Sequence, residues 1–192
     1  RRSPVFLLNT WVPLQQLTRP LCFMDRQTLD QKKHQLRYGL PVEGFLDRDE
    51  DRKVNDIWMY LHHDNQQWYY TSDMDASRAY VFDTLGIAHG ACVTPGEALA
   101  EQYYLQLLKL LEAAKKGDAE TLQKETVAAF DVPEATSASL CEALADMKAC
   151  IEEALASKTL ETLNAGWQTK AAAAMDRVVR KSIEMRAVAL VF

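Results

Sequence analysis

The sequence predicts an α+β protein in which a helical block interrupts a β-structured core. Five of the six prolines, three of the four tryptophans and all four histidines precede residue 96. After it the chain is rich in alanine, leucine and glutamate, which favour helix. The last residues again have strand character. We therefore expect a β-rich core over residues 1–95, a helical insertion over 96–179 and a closing strand over 180–192.

The composition limits the classes of partner. At 192 residues, with 48% hydrophobic and 26% charged residues, the chain suits one soluble globular domain. A net charge of −5 argues against nucleic acid or an anionic membrane as the main partner. No apolar run approaches the roughly 18–20 residues that span a bilayer, and the start lacks a signal-peptide cleavage pattern. We expect a cytoplasmic protein, and the C-terminal part of a longer one.

Four cysteines occur, and their spacing matches no metal-binding motif. Cys141 and Cys150 are nine positions apart in a helical pattern and so lie on different faces, where they cannot pair locally. Together with Cys22 and Cys92 they are expected to be reduced thiols, as is usual in a cytosolic protein.

The first half begins with two predicted strands. Residues 5–14 are apolar and rich in branched and aromatic side chains, and Pro13 closes the run. Residues 20–24 form a second candidate. A polar stretch over 25–38 reads as helical or irregular, and the glycines and charges of 39–53 predict a solvated loop.

An aromatic hairpin is predicted next. Residues 55–61 and 67–71 resemble strands, and the Asp-Asn pair between them favours a turn. Residues 78–84 could form a helical turn or a strand, and the consecutive aromatic and branched residues favour strand. The hairpin aromatics are expected to pack in the sheet core rather than to line a substrate pocket; they are Trp58, Trp68, Tyr69 and Tyr70.

Two helices are predicted from residue 97 onward. Apolar residues recur there at three- and four-residue steps until Lys115 and Lys116, and Gly117 then ends the helix. Asp118 can cap a second helix that runs towards Phe130.

Two more helices and a strand complete the chain. Ser137 or Ser139 caps a third helix, and a fourth runs from about residue 158 to 179, interrupted or bent by Gly166. Residues 182–192 alternate at first and then become continuously apolar, which is typical of a buried strand.

Several segments, taken together in chain order, resemble one enzyme family. They read NTWVPL, RPLCFMD, QQWYYTSDM, AHGACVTP and RKSIEMR. The sequence resembles the hydroxylase/desaturase family that includes the cephamycin 7-alpha-hydroxylase component and fungal gibberellin desaturase-like oxygenases. The matching residues are Asn9, Trp11, Pro13, Leu14, Pro20, Leu21, Asp25, Trp68, Tyr69, Tyr70, His89, Ala91, Arg180, Ser182, Ile183, Glu184 and Arg186.

This resemblance implies a double-stranded β-helix (jelly-roll) core, incomplete at the N-terminus, and Fe(II)/2-oxoglutarate chemistry. The sequence departs from the family's pattern in three ways. The family's His-x-Asp iron pair belongs upstream of the first matching segment, Val12 stands where the family has arginine, and Arg180 follows His89 by 91 positions. The helical insertion accounts for that spacing, since loop length adds entropy only slowly.

The resemblance also implies roles for four residues. His89 would be the downstream histidine ligand of a 2-His-1-carboxylate iron site. Arg180 and Ser182 would bind the distal carboxylate of 2-oxoglutarate, with Arg186 as a further anionic-site candidate on the same strand face. Without the resemblance, His89 reads as a loop histidine bonded to backbone and Arg180 as an ordinary helix-end arginine.

A second histidine cluster permits two interpretations. His62, His63 and Asp64 contain a His-x-Asp pattern that could form a local triad with His89. A solvated polar turn explains the same residues, and it agrees better with their place in the hairpin.

The sequence thus predicts a non-haem iron, 2-oxoglutarate-dependent oxygenase that hydroxylates or desaturates a small-molecule metabolite. The competing hypothesis is a non-catalytic β-scaffold whose helical insertion binds a protein partner. A purely helical adaptor would require the first half to lack strands.

Overall fold

The first strand, β1 (Val5–Gln15), is the centre of a three-stranded antiparallel sheet. The structure is a computed structural model that describes residues 5–15, 18–41, 54–127 and 131–191. On one side β1 pairs with β6 (Tyr80–Asp83), and on the other with β8 (Lys181–Leu190). The strands predicted over 5–14 and 78–84 are therefore confirmed, and the purely helical adaptor is excluded.

The two faces of this sheet differ. Alternate β1 residues Asn9, Trp11 and Pro13 are buried, because successive strand residues point to opposite faces. The opposite face exposes Ile183 and Met185 of β8. The prediction that the last strand is buried is wrong: β8 lies at a sheet edge, and all its side chains except Ala189 are exposed.

The chain separates into two compact units, residues 1–22 with 70–192 and residues 23–69. The first unit contains the sheet just described and the helices. It also contains β7 (His89–Ala91), which pairs with β2 (Leu21–Met24) near Cys22. The strand predicted over 20–24 is confirmed.

The second unit contains a 3₁₀ turn (Arg26–Thr28), the one-turn helix α1 (Gln31–His34) and the antiparallel pair of β3 (Gln35–Pro41) and β4 (Val54–Tyr60). The predicted aromatic hairpin is wrong in its pairing. β4 pairs with β3, and β5 (Trp68–Tyr70) belongs to a different sheet. Residues 42–53 of the predicted loop lie outside the described residues.

The aromatic side chains of β5 are also not core residues. Trp68, Tyr69 and Tyr70 are all exposed, so the expected core packing of these residues is wrong. The side chain of Trp58 lies outside the described ones.

Among the described residues, four helices lie between β7 and β8 in the chain. They are α2 (Glu97–Lys116), α3 (Ala119–Lys124), α4 (Ala138–Ser157) and α5 (Ala165–Arg177). Gly117 ends α2 in a left-handed conformation, φ 66°, which glycine adopts without a Cβ clash. Ser137 is the cap of α4, accepting a hydrogen bond from the Leu140 amide.

Two helix boundaries differ from the predictions. The helix after Asp118 ends at Lys124, well before Phe130. The last helix starts at Ala165 rather than near residue 158, because Asn164 caps it by accepting from the Trp167 amide at 3.1 Å. Gly166 therefore lies in the first turn of α5 and neither interrupts nor bends a longer helix.

The helices share one apolar core. Leu107, Leu110, Met147, Ile151 and other residues of α2 to α5 are almost completely buried against each other. Trp167 joins two helices by donating its Nε1 hydrogen to the Cys150 carbonyl, at 3.0 Å. The structure is thus mixed α and β, with small antiparallel sheets and five helices in its described part; the jelly-roll core and the domain boundaries stay predictions.

Candidate functional site

The face of the β6-β1-β8 sheet that buries Asn9 and Trp11 also carries two of the four predicted site residues on β8. Residues paired directly across antiparallel strands point to the same face. Three rows follow from the observed pairing: Phe82–Asn9–Arg186, Tyr80–Trp11–Glu184 and Pro13–Ser182. Ser182 and Arg186 therefore share one face with Asn9 and Trp11.

A polar group links β1 and β8 at the centre of this face. The buried Asn9 donates from Nδ2 to Glu184 Oε1 at 2.7 Å. Arg186 contacts the same oxygen from Nε at 2.9 Å and from Nη2 at 2.7 Å. Burial acts to raise the pKa of Glu184, but the hydrogen bonds from Arg186 and Asn9 outweigh it and lower that pKa. Glu184 is thus held ionised and orients the Arg186 guanidinium.

His89 lies beside this polar group. It is the first residue of β7, and its ring meets the Phe82 ring edge-on, with 4.7 Å between centroids. Its Nδ1 is 2.9 Å from the Ile87 carbonyl oxygen. In a neutral ring this contact requires the hydrogen on Nδ1, which leaves the lone pair on Nε2. His89 is close enough to Glu184 that a positive charge on its ring would lower the pKa of that carboxyl.

Arg180 lies over the same face, just before β8. Its guanidinium carbon is 5.0 Å from the centroid of the Trp11 ring, a cation–π arrangement, and Trp11 in turn stacks near Tyr80 at 6.0 Å. Within the described ranges Arg180 forms no ion pair with a carboxylate. The positive charge of Arg180 is therefore less neutralised than that of Arg186, which forms an ion pair with Glu184.

Residues of β6 and β1 link His89 to the β8 segment. Phe82, which pairs with Asn9, contacts His89, and Asn9 contacts Glu184 of β8, 175 positions away. The hydrogen bond between Asn9 and Glu184 was not predicted from the sequence. The alternation of Ser182, Glu184 and Arg186 was the available signal, since it places all three on one face.

The metal ligands implied for iron do not assemble in the part of the chain that the structure describes. No group of three or more His, Cys, Asp or Glu residues there could hold a metal ion. His89 is a single candidate ligand, whereas the facial triad needs three. The described residues therefore do not by themselves fit iron, and no catalytic step through iron follows from them.

The second histidine cluster is a solvent-exposed turn. His62 Nε2 and Asp64 Oδ1 are 3.3 Å apart, and their side chains are 85% and 97% exposed. His63 stacks on His34, at 4.8 Å between centroids, inside the second unit. A cavity of about 970 Å³ in that unit is lined by the 26–34 segment, His63 and Asn65, and by none of the four predicted site residues. The geometry agrees with a solvated polar turn.

The described part of the chain contains no helix that is both long enough and apolar enough to cross a membrane.

Comparison with known proteins gives one match. No curated protein and no solved structure matches the chain. The family model described as Oxidoreductase/YMDC permease-like domain matches residues 2–107, which is more than half of the 192 residues. The match covers β1 to β7 and the first half of α2, so it includes Asn9, Trp11 and His89. The chain belongs to the oxidoreductase/YMDC permease-like domain family, whose description suggests an oxidoreductase-type function.

Proposed function

We propose that this chain is a non-haem iron, 2-oxoglutarate-dependent oxygenase-like protein that hydroxylates or desaturates a small-molecule metabolite on a jelly-roll core. The observation that supports it best is the convergence of His89 with the Arg180 and Arg186 guanidinium groups around one sheet face. The oxidoreductase family match agrees with it at a coarser level. We expect a cytoplasmic protein with no nucleic-acid or membrane partner.

Arg180 is the strongest candidate for binding the dicarboxylate. Its cation faces the Trp11 ring and has no carboxylate partner among the described residues, so an incoming carboxylate need not displace one. A guanidinium offers a planar fork of donors that matches a carboxylate. Ser182, two residues further along the same face, can add a hydroxyl donor. Together the two side chains suit one carboxylate end of 2-oxoglutarate.

Arg186 is a weaker candidate for the same role. Its Nε and Nη2 already contact Glu184, which balances its charge. Nη1 carries two further hydrogens that can donate to a ligand. We expect Arg186 to add to the positive potential of the face and to contribute less binding energy than Arg180.

Calorimetric titration with 2-oxoglutarate tests the anionic site. The Arg180→Ala variant should weaken binding by roughly tenfold or more, about 1.4 kcal/mol, because it removes a two-pronged ionic contact. Arg78→Ala is the matched control, since Arg78 is an exposed arginine of the same unit and does not lie on this sheet face. If the parent and Arg180→Ala bind 2-oxoglutarate with equal affinity, Arg180 is not part of the binding site.

Anaerobic titration with Fe(II) tests the metal assignment separately. Bound iron would supply the oxygen activation that hydroxylation and desaturation require, and His89 is its candidate ligand here. In an N-terminally extended form that carries a His-x-Asp pair, His89→Ala should abolish iron binding, whereas His62→Ala should preserve it because His62 belongs to the exposed turn. Undiminished binding by His89→Ala in that extended form, or no binding by the extended form without the substitution, would overturn the iron assignment.

The second candidate function is a non-catalytic scaffold whose helices bind a protein. It is favoured by an apolar patch on α2, where Leu105 and Leu108 are 56% and 39% exposed beside Tyr104. Such residues at i and i+3 on one helix face suit a protein partner. This candidate predicts that the chain does not bind 2-oxoglutarate and that its N-terminally extended form does not bind Fe(II), so the two titrations distinguish the functions.

A further inference from the structure

Two cysteine thiols meet where β2 and β7 lie side by side. The Cys92 amide donates to the Pro20 carbonyl at 3.0 Å, and its thiol lies 3.6 Å from the same oxygen. The Cys22 thiol donates to the Gly90 carbonyl at 3.2 Å. Each thiol also affects the pKa of the other, so the two side chains are neighbours. The backbone pairing of the two strands therefore holds both sulfur atoms together.

We propose that Cys22 and Cys92 form a reversible disulfide when the protein meets a hydroperoxide. Both residues are free cysteines, and the thiols hydrogen-bond to carbonyls of each other's neighbouring strand residues, so a local side-chain rearrangement can bring the sulfur atoms to the roughly 2 Å of an S–S bond. In reducing compartments such disulfides are transient and typical of redox sensing. The proposal is independent of the iron and 2-oxoglutarate sites.

The chemistry balances with hydrogen peroxide as the oxidant. Cys92 loses its proton, and its sulfur attacks one peroxide oxygen, which breaks the O–O bond and releases water once the leaving hydroxide is protonated. Cys22 then loses its proton and attacks the Cys92 sulfenic acid; the S–O bond breaks and a second water leaves. Two thiols give up two electrons, and one peroxide becomes two water molecules.

The surroundings determine which thiol reacts first. Cys22 is buried and Cys92 is only partly buried, so peroxide reaches Cys92 more easily. Burial raises the pKa of both thiols, that of Cys22 to about 11. Because little thiolate exists near neutral pH, the pair stays reduced at rest and oxidises slowly.

Peptide mapping tests the proposal on the intact chain. The reduced protein is treated with hydrogen peroxide, its remaining thiols are alkylated, and the digest is analysed by mass spectrometry. We expect one cross-linked species that joins the Cys22 and Cys92 peptides and lacks two hydrogen atoms. Dithiothreitol should restore both alkylated peptides. Cys141 should remain alkylatable throughout.

Two serine variants provide the controls. Cys92→Ser should lose the cross-link and leave Cys22 alkylatable, whereas Cys141→Ser should form it as the parent does; circular dichroism checks that both variants fold. If the parent emerges with Cys22 and Cys92 both alkylated, or with Cys22 joined as often to Cys141 or Cys150, the proposed pair is wrong. Because the parent measurement needs no substitution, it decides the question even if a variant does not fold.

Discussion

The helices and the β6-β1-β8 sheet differ in how completely they bury their apolar side chains. In the helices, apolar stripes from α2 to α5 face each other, and residues such as Leu107 and Met147 have no exposed surface. In the sheet, one face buries Asn9, Trp11 and Pro13, while the other exposes Val81, Ile183 and Met185. The difference indicates that the helices supply most of the hydrophobic stabilisation and that the sheet carries the candidate chemistry.

A matched pair of methionine substitutions sharpens this comparison. Met147→Ala should lower the free energy of unfolding by about 2–5 kcal/mol, because it removes a fully buried side chain and leaves a cavity. Met185→Ala should change it by less than about 0.5 kcal/mol, because Met185 is 61% exposed on β8. Denaturant unfolding measures both values. Similar losses at the two sites would contradict the assignment of stability to the helices.

The cap of α5 should give a smaller effect. Asn164→Ala should destabilise the protein by about 1 kcal/mol, because the Trp167 amide loses its acceptor at the helix start. Asn164→Ser is the conservative control, since serine can also accept from that amide. If alanine and serine unfold at the same denaturant concentration, the hydrogen bond contributes nothing to stability.

The smallest effect concerns Glu184 and appears only in acid. The pKa of Glu184 is lowered in the folded chain from its ordinary value of 4.5. Its stabilising contribution is therefore complete above pH 4.5 and is lost as the pH falls through the folded-state pKa. Glu184→Gln should have a flatter decline of stability below pH 4.5 than the parent, and the change should be modest because the side chain is 41% exposed. If stability declines equally steeply below pH 4.5 in the two proteins, Glu184 does not contribute to the pH dependence of stability.

Local signals in the sequence located most of the helix ends. Gly117 after two lysines and Ser137 before an apolar stripe both mark boundaries that the structure confirms, because capping depends on residues within one turn. Asn164 shows the limit of this reasoning. Gly166, two residues later, predicts an interruption inside a longer helix, so the sequence does not reveal that Asn164 caps the helix.

Strand pairing and burial were harder to predict. Composition could not show that β4 pairs with β3 rather than β5, since many registers satisfy the same alternation. The apolar run at the end of β8 suggested a buried strand, but burial depends on what packs against the strand and not on its own sequence. The proximity of Cys22 to Cys92 was likewise not visible in their spacing of 70 positions.

The candidate site followed from resemblance rather than from periodicity. The matching segments include His89, Arg180 and Ser182. The observed pairing of β1 with β8 places Ser182 on the face of Asn9 and Trp11, whereas Arg180 lies over Trp11 and His89 contacts Phe82. The partners Asn9 and Glu184 belong to the same matching segments, but only the side-chain geometry shows that they contact each other.

The position of β1 between β6 and β8 also has a consequence for biosynthesis. One edge of β1 can pair once residue 83 has been made, but the other must wait for residues 181–190. Contacts between distant parts of a chain form late, because the intervening segment must first be brought together. On the ribosome the helices can therefore pack while half of the first strand's backbone hydrogen-bonding groups are still unpaired. A chain with this unpaired strand edge is a folding intermediate that a chaperone would bind or that would aggregate.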